Sequence, residues 1–254
     1  MEYTTYDIIK FNSGEIKVIL SGNSDLLYCK LYKDLNLSFT AALIAITHLR
    51  QKIKDKVRVV MPFLPMSRSE LLTTIDILQS VGVRELFTVD IHSEVVCKDI
   101  NICNLSIVPQ VIEKIGIDLN ELVIVSPDNG GYKRAKNAAE ILNCKFITMG
   151  KTRIGNSVKH ILHDREIVRD KPVLIVDDII DSGATANSAA QELLKCGAKS
   201  IDLVAIHAIP GKREIWEGIR KIYITNTIEQ EANIESQVVD IKDIINKKIS
   251  TLNM

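Results

Sequence analysis

The chain has 254 residues, 46% of them hydrophobic and 25% charged, which suits one large domain or two smaller ones with real apolar cores. Lys and Arg together number 32, Asp and Glu also number 32, and the formal net charge is zero. This balance excludes the global positive field that attracts nucleic acid or an anionic membrane surface, so neither is expected as a partner.

Eight segments have the composition of β-strands, and several are continuous Val, Ile and Leu runs without polar alternation. That pattern is typical of strands buried on both faces of a parallel sheet. In chain order the predicted strands cover residues 15–20, 57–63, 86–92, 122–128, 145–150, 173–178, 201–209 and 221–226.

Helical periodicity lies between these strands, and the alternation predicts an α/β fold with doubly wound, mostly parallel sheets. The predicted helices cover residues 39–53, 70–81, 131–142, 185–196 and, as a short terminal helix, 241–249. No Gly-, Ser- or Pro-rich linker divides the chain, so the seam is placed near 104–116. The predicted domains are 1–112, joined by a C-terminal helix within 238–254, and 113–237.

The beginning of the chain is polar and mixed, unlike a signal peptide, and no apolar run reaches the roughly 18 residues of a membrane span. The five cysteines are widely spaced and lack the CxxC spacing of a zinc site, which fits reduced thiols. We therefore expect a cytoplasmic protein.

The clearest motif is a buried strand that ends in two adjacent acids, Asp177 and Asp178, and leads through a short loop into a helix. The loop and first helical residues are Asp181, Ser182, Gly183, Ala184 and Thr185. Ligands bind at the carboxyl ends of parallel strands, and small residues before a helix N-terminus let backbone N–H groups approach a phosphate. The paired acids can accept hydrogen bonds from sugar hydroxyls and hold hydrated Mg²⁺. The alternative, a plain strand–helix turn with Asp and Ser as caps, leaves two buried acids uncompensated.

This motif resembles the phosphoribosyl-pyrophosphate-binding motif shared by phosphoribosyltransferases and ribose-phosphate pyrophosphokinases. Further blocks occur in the order found in the pyrophosphokinases. They read FNSGE at 11–15, MPFLPMSRSE at 61–70, FTVDIH at 87–92, VSPDNGGYKRA at 125–135 and ITNTI at 224–228. The chain thus resembles a shortened, divergent ribose-phosphate pyrophosphokinase along nearly its whole length. The resemblance implies two tandem phosphoribosyltransferase-type, Rossmann-like lobes, the first for ATP and the second for ribose phosphate.

The resemblance also implies roles for the matching residues. Phe11 and Glu15 would lie against the adenine of ATP, with Arg68 at its phosphates. His92 and Asp128 would hold the metal that bridges those phosphates. The expected partners are therefore ATP and an acceptor that carries ribose 5-phosphate, with Mg²⁺ as the cofactor.

Lys151 and Arg153 match the Lys-x-Arg pair of the family's catalytic loop, which folds over the substrates. Phosphoryl transfer asks a protein mainly for in-line positioning and for cations near the charge of the transition state, which these residues supply. With the motif at 177–185 binding the ribose phosphate, the expected enzyme moves the β,γ-diphosphate of Mg-ATP to the anomeric 1-hydroxyl and releases AMP. The family also implies a homo-oligomer.

The chain departs from the family at several places. The strand–helix unit that precedes FNSGE in the family is absent, and the hairpin after Arg68 is trimmed. Ser13 replaces the usual Asp or Asn, and the loop at 182–185 is closer to that of many phosphoribosyltransferases. Divergent members linked to nicotinamide salvage act on ADP-ribose, so this larger acceptor stays open. The rival functions are a phosphoribosyltransferase and a non-catalytic regulatory homologue.

Other polar residues are predicted to have ordinary structural roles. His160 and His163 have HxxH spacing without a third ligand nearby, and we expect solvated side chains in a flap. His207 lies within an apolar strand and is expected in the core. The basic residues of the helix at 131–142, among them Arg134, would either steer anionic substrates or form a solvated helix face.

Overall fold

The structure is a computed structural model that describes residues 1–67, 69–91, 97, 99–154, 157–211, 217–230 and 236–252, with the backbone alone at 153–154 and 157–158. The chain divides into two units. Unit 1 comprises Met1–Leu105, Thr227–Glu229 and Lys242–Met254, and unit 2 comprises Ser106–Asn226 and Gln230–Ile241.

Strands and helices alternate in both units. In chain order, unit 1 contains β1 (Thr5–Lys10), β2 (Ile16–Ser21), β3 (Leu26–Tyr28), α1 (Leu35–Ile53), β4 (Val57–Val60), α2 (Leu71–Ser80), β5 (Val83–Val89) and β6 (Asn101–Leu105). Unit 2 continues with α3 (Val108–Ile115), β7 (Val123–Ser126), α4 (Tyr132–Leu142), β8 (Lys145–Thr148), β9 (Gly150–Ile154), β10 (Ser157–Ile161), β11 (Pro172–Ile180), α5 (Ala184–Lys195), β12 (Ser200–Ala208), β13 (Lys221–Thr225) and β14 (Gln237–Val239). A 3₁₀ turn, Asn129–Gly131, precedes α4, and the last helix, α6 (Lys242–Leu252), belongs to unit 1.

Unit 1 contains an antiparallel hairpin, β1–β2, and a parallel sheet in the order β3-β4-β5-β6. Helix α1 begins at Leu35, before the predicted start at residue 39, because Asp34 caps it. The Asp34 carboxylate accepts a hydrogen bond from the backbone N–H of Leu37 at 2.9 Å. The first turn, Leu35-Asn36-Leu37-Ser38, alternates apolar and polar residues, so hydrophobic periodicity did not indicate this start.

Unit 2 contains a parallel sheet in the order β14-β13-β12-β11-β7-β8. The apolar residues of β7, β11 and β12 are buried, as the continuous runs in the sequence predicted. Helix α5 buries Ala189, Ala190 and Leu193 in the same core cluster. The predicted α/β class with mostly parallel sheets is therefore confirmed.

Several elements were not predicted. Helix α3 occupies the segment interpreted as a seam; Pro109 lies in its first turn, and Gly116 ends it in a left-handed conformation with φ of 64°. The expected domain boundary at residue 112 falls inside α3. The terminal helix, expected within 238–254, covers Lys242–Leu252. The strands β1, β3, β6, β9, β10 and β14 are short or polar, and they lacked the continuous apolar runs of the core strands.

The oxidation state of the cysteines and the apolar character of the helices agree with the expectations from the sequence. All five cysteines are free thiols. Among the described residues, no helix combines the length and the apolar character that crossing a bilayer requires.

A buried carboxylate on β12 provides a test of the packing in unit 2. Asp202 is 2% exposed and accepts hydrogen bonds from Arg220, from Nε at 3.0 Å and from Nη2 at 2.6 Å. Arg220→Ala removes this partner from a buried charge, so we expect the free energy of unfolding to fall by about 1–3 kcal/mol. Urea denaturation followed by circular dichroism measures the change.

Arg84→Ala is the matched control. Arg84 pairs with Asp25 at 2.7 Å, but both side chains are more than 40% exposed. Water solvates both charges there, so the loss should stay within about 0.5 kcal/mol. Equal losses in the two variants would contradict the importance of burial at Asp202.

Candidate active site

Neighbouring strands of the six-stranded sheet end at the candidate site. β7 lies between β11 and β8, and both pairings are parallel. Asp177 and Asp178 occupy the end of β11. Asp128 follows β7, and β8 leads into β9, which carries Lys151. Because parallel strands end at one edge of a sheet, residues far apart in sequence come together there.

Asp128 is held from two sides. Its Oδ1 accepts hydrogen bonds from the backbone N–H groups of Gly130 at 3.0 Å and Gly131 at 3.4 Å, and its Oδ2 lies 2.8 Å from Lys151 Nζ. Burial by itself would raise the pKa of Asp128, but the hydrogen bond and charge of Lys151 and the two backbone donors outweigh it. The pKa therefore lies below its ordinary value, and Asp128 is a carboxylate at neutral pH.

The two acids of β11 form a second cluster with Arg134 of α4. Arg134 Nη2 lies 3.4 Å from Asp178 Oδ2, and the two side chains are only 10% and 7% exposed. The backbone N–H of Asp178 donates to Asp177 Oδ1 at 2.9 Å. Burial and then the negative charge of Asp178 raise the pKa of Asp177. In this environment the ionised form of Asp177 is therefore unfavourable at neutral pH.

The loop after β11 has the features of the predicted phosphate-binding loop. Asp181 and Ser182 are exposed, and Gly183 has φ of 92°, a conformation that favours glycine. α5 begins at Ala184, with Thr185 in its first turn, so the N-terminus of the helix adjoins this loop, and the backbone N–H of Ala184 donates to Ser182 Oγ at 3.4 Å. The structure thus places the whole predicted motif beside the two acids of β11.

Lys151 lies on a hairpin formed by β9 and β10. In the described part of the chain these strands pair with each other and with neither parallel sheet. The Lys151 side chain is 16% exposed and points its ammonium group at Asp128. Arg153 follows on the same strand, but its side chain lies outside the described residues, so its predicted catalytic role stays a prediction.

The residues predicted to bind ATP belong to unit 1. Phe11 follows β1 at the turn of the first hairpin and is 50% exposed. Its backbone N–H donates to the Glu15 carbonyl at 2.9 Å, and the Ser13 hydroxyl donates to the Glu15 carboxylate at 2.9 Å. The predicted residues Arg68 and His92 lie outside the described residues.

The expectation that His160 is solvated is wrong. His160 is 4% exposed, and its Nδ1 lies 2.9 Å from Ser188 Oγ on α5. Burial and then the charge of Lys151 lower the pKa of His160 to about 4, so the imidazole is neutral at pH 7. His160 lies two residues from Val158 and two from Leu162, and this two-residue strand period could have predicted an inward-facing histidine.

The other structural expectations have mixed outcomes. His163 is exposed and His207 is 4% exposed, as predicted. Arg134 belongs to neither a solvated face nor a steering patch, because it is buried against Asp178. It precedes the buried Ala135 and lies four residues before the buried Ala138, so helical periodicity could have placed it on the inner face of α4.

The comparisons with known proteins agree with this geometry. Residues 106–242, more than half of the chain, match the phosphoribosyl transferase domain family. The chain belongs to this family.

Within it, similarity extends to both units. The chain is 28% identical to the ribose-phosphate pyrophosphokinase of Pyrococcus furiosus, over 95% of this chain and 92% of that protein. It is 27% identical to the ribose-phosphate pyrophosphokinase of Thermotoga maritima, over 96% and 85%. The crystal structure of phosphoribosylpyrophosphate synthetase from Mycobacterium smegmatis has the same fold, with a TM-score of 0.79 at 21% identity over 98% of this chain and 90% of that one. The resemblance inferred from the ordered motifs is confirmed.

Ser126 packs tightly against Gly131 next to Asp128, and this contact predicts the stability of variants at position 131. The Ser126 hydroxyl donates to the Asp128 carbonyl at 2.7 Å, and a Cβ added at Gly131 would overlap Ser126 Oγ. Gly131→Ala should therefore lower the free energy of unfolding by about 1–3 kcal/mol. The double variant Ser126→Ala/Gly131→Ala removes the overlapping oxygen and should be more stable than Gly131→Ala alone.

Gly211→Ala is the control, because no atom lies within 4 Å of a Cβ built there. Urea denaturation of the parent, Ser126→Ala, Gly131→Ala and the double variant measures the coupling energy between positions 126 and 131. Additive losses, with no recovery in the double variant, would show that the Ser126 hydroxyl is not what excludes a side chain at Gly131.

Proposed function

We propose that the chain is an enzyme of the ribose-phosphate pyrophosphokinase type, which transfers the β,γ-diphosphate of Mg-ATP to the anomeric 1-hydroxyl of a ribose 5-phosphate group and releases AMP. The observation that carries the proposal is the similarity to ribose-phosphate pyrophosphokinases over both units, including the ATP-binding blocks of unit 1. A phosphoribosyltransferase alone would not account for those blocks. We further propose that the enzyme acts in the cytoplasm as a homo-oligomer.

Unit 2 would bind the ribose phosphate. The loop around Gly183 and the N-terminus of α5 offer backbone N–H groups and the positive end of the helix dipole to the 5-phosphate. Asp177 and Asp178, at the end of the adjoining strand, would accept hydrogen bonds from the ribose hydroxyls. Unit 1 would bind ATP, with Phe11 and Glu15 at the adenine and Arg68 at the phosphates.

The carboxylates fit Mg²⁺. This ion takes oxygen ligands and usually binds through one or two carboxylates together with substrate phosphates and water. Burial and the charge of Asp178 raise the pKa of Asp177 to about 8, and a bound cation would favour its ionised form. Among the described residues, no group of three His, Cys, Asp or Glu side chains could hold a metal ion, which fits an ion that binds together with its substrate phosphates.

We propose Asp128 and His92 as the residues that hold this ion. When bound, Mg²⁺ would neutralise phosphate charge and polarise the phosphoryl group that is attacked. Asp128 suits this role because it is ionised at neutral pH.

Lys151 and Arg153 would supply the cations for the transfer. The O1 oxygen of the acceptor forms a bond to the β-phosphorus while the bond from that phosphorus to the α–β bridging oxygen breaks. AMP leaves with the bridging oxygen, and the acceptor hydroxyl loses its proton. Lys151 would leave Asp128 for a phosphate oxygen as negative charge accumulates there.

The acceptor is ribose 5-phosphate or a larger molecule with the same end, such as ADP-ribose. α2 begins at Leu71, directly after Ser69 and Glu70, which supports the expectation that the hairpin after the arginine is trimmed. A trimmed hairpin before α2 could leave space for a larger acceptor, and ADP-ribose is therefore included in the test.

The decisive assay measures AMP release from Mg-ATP with ribose 5-phosphate and, in parallel, with ADP-ribose. We expect AMP with at least one acceptor, and Lys151→Ala should lower kcat by about 100- to 1,000-fold because a transition-state cation is lost. Lys159→Ala, an exposed lysine on the same hairpin, is the control and should retain activity.

The outcomes separate the candidate functions. AMP formed only with ADP-ribose would establish a changed acceptor. No AMP with either acceptor would contradict the proposed diphosphate transfer. Release of pyrophosphate from phosphoribosyl pyrophosphate in the presence of a nucleobase would then identify a phosphoribosyltransferase.

A further inference from the structure

A buried histidine joins the hairpin that carries Lys151 to the helix that follows the phosphate loop. His160 lies on β10 with 4% of its surface exposed, and its Nδ1 is 2.9 Å from the hydroxyl oxygen of Ser188 on α5. The hairpin pairs with neither parallel sheet in the described part of the chain. Met149 and Leu162, which flank the hairpin, are buried in the core of unit 2, and the contact between His160 and Ser188 adds a side-chain link from the hairpin to α5.

His160 is also the cross-strand partner of Lys151. The two residues lie opposite each other in the antiparallel ladder, so their side chains project from the same face of the hairpin. On that face, Lys151 Nζ lies 2.8 Å from Asp128 Oδ2. The contact of His160 with α5 and the ion pair of Lys151 with Asp128 are therefore made by neighbouring side chains of one face.

The charge state of the imidazole suits this arrangement. Its lowered pKa, about 4, keeps it neutral at pH 7 beside the ammonium group. A neutral ring can fill the space next to Lys151 without repelling it, and it can still exchange a hydrogen bond with a hydroxyl.

We propose that His160 is a positioning residue, whose contact with Ser188 holds the β9–β10 hairpin against α5 and so keeps the ammonium group of Lys151 at the site of Asp128. Its effect on turnover rests on the proposed function. Its effect on the placement of Lys151 does not, and the two can be measured separately.

Three variants distinguish this role from simple packing. His160→Ala removes the contact, and Ser188→Ala removes its partner with little loss of volume. His160→Asn places an amide group where Nδ1 lies and should restore the contact. His163→Ala, an exposed histidine of the same segment, is the matched control.

The first measurement is the rate at which an amine-reactive acylating reagent modifies Lys151, followed by peptide mass spectrometry. Exposed Lys159 on the same hairpin is the internal standard. Loss of a contact that holds the ion pair should raise the rate at Lys151 about five-fold in His160→Ala and Ser188→Ala. The rate should stay near that of the parent in His160→Asn and His163→Ala, and Lys159 should not change in any variant.

An unchanged rate at Lys151 in Ser188→Ala and in folded His160→Ala would overturn the proposal. So would an equal rise at Lys151 and Lys159, since that would show loosening of the whole hairpin. If His160→Ala does not fold, Ser188→Ala and His160→Asn decide the question.

The second measurement is steady-state AMP release. Misplacing a transition-state cation should lower kcat in Ser188→Ala and His160→Ala by about 10- to 100-fold, with the KM for ribose 5-phosphate changed less than about three-fold. His160→Asn should recover most of kcat. Parent activity without this split would overturn the role in turnover. An inactive parent would contradict the proposed function, and the modification rates would still decide whether His160 positions Lys151.

Discussion

The parallel hydrogen-bonded register of β11, β7 and β8 is the constraint on which the candidate site depends. Val173 of β11 lies opposite Val123 of β7, which lies opposite Lys145 of β8, so β7 and β8 end together at Ser126 and Thr148, next to the acids of the longer β11. The acids of β11, Asp128 after β7 and the hairpin after β8 meet because of this alignment. The apolar residues that fix the register are buried in the sheet, so the geometry of the polar groups is set by a hydrophobic core.

Electrostatic compensation explains why the polar groups take the positions they have. Asp128 receives a lysine and two backbone donors, and Asp178 receives a buried arginine. Asp177 receives less positive charge, and burial beside Asp178 makes its ionised form unfavourable. A substrate complex that brings a divalent cation and sugar hydroxyls would compensate the remaining charge, in line with the proposed chemistry.

The sequence predicted the elements whose signals are local. Strand β11, its two acids and the loop before α5 were predicted because a continuous apolar run, adjacent acids and small loop residues each have a direct physical meaning. Helix α3 was missed because its eight residues lie at the start of unit 2, within the segment where a seam was expected. The burial of Arg134 and His160 was missed because each depends on a contact with a distant segment, Asp178 in one case and Ser188 in the other. Periodicity could indicate an inward direction for each, but it could not name the partner.

The separation of the β9–β10 hairpin from both parallel sheets has a consequence for evolution. Substitutions in an element that shares no backbone ladder with the core sheets disturb few of the interactions that hold the sheets together. Lys151 is therefore carried on a part of unit 2 in which exposed positions, such as Lys159 and Ile161, can vary with little cost to global folding. Selection could alter the surface around Lys151 in this way while the sheet, the acids at its edge and the loop before α5 stay unchanged.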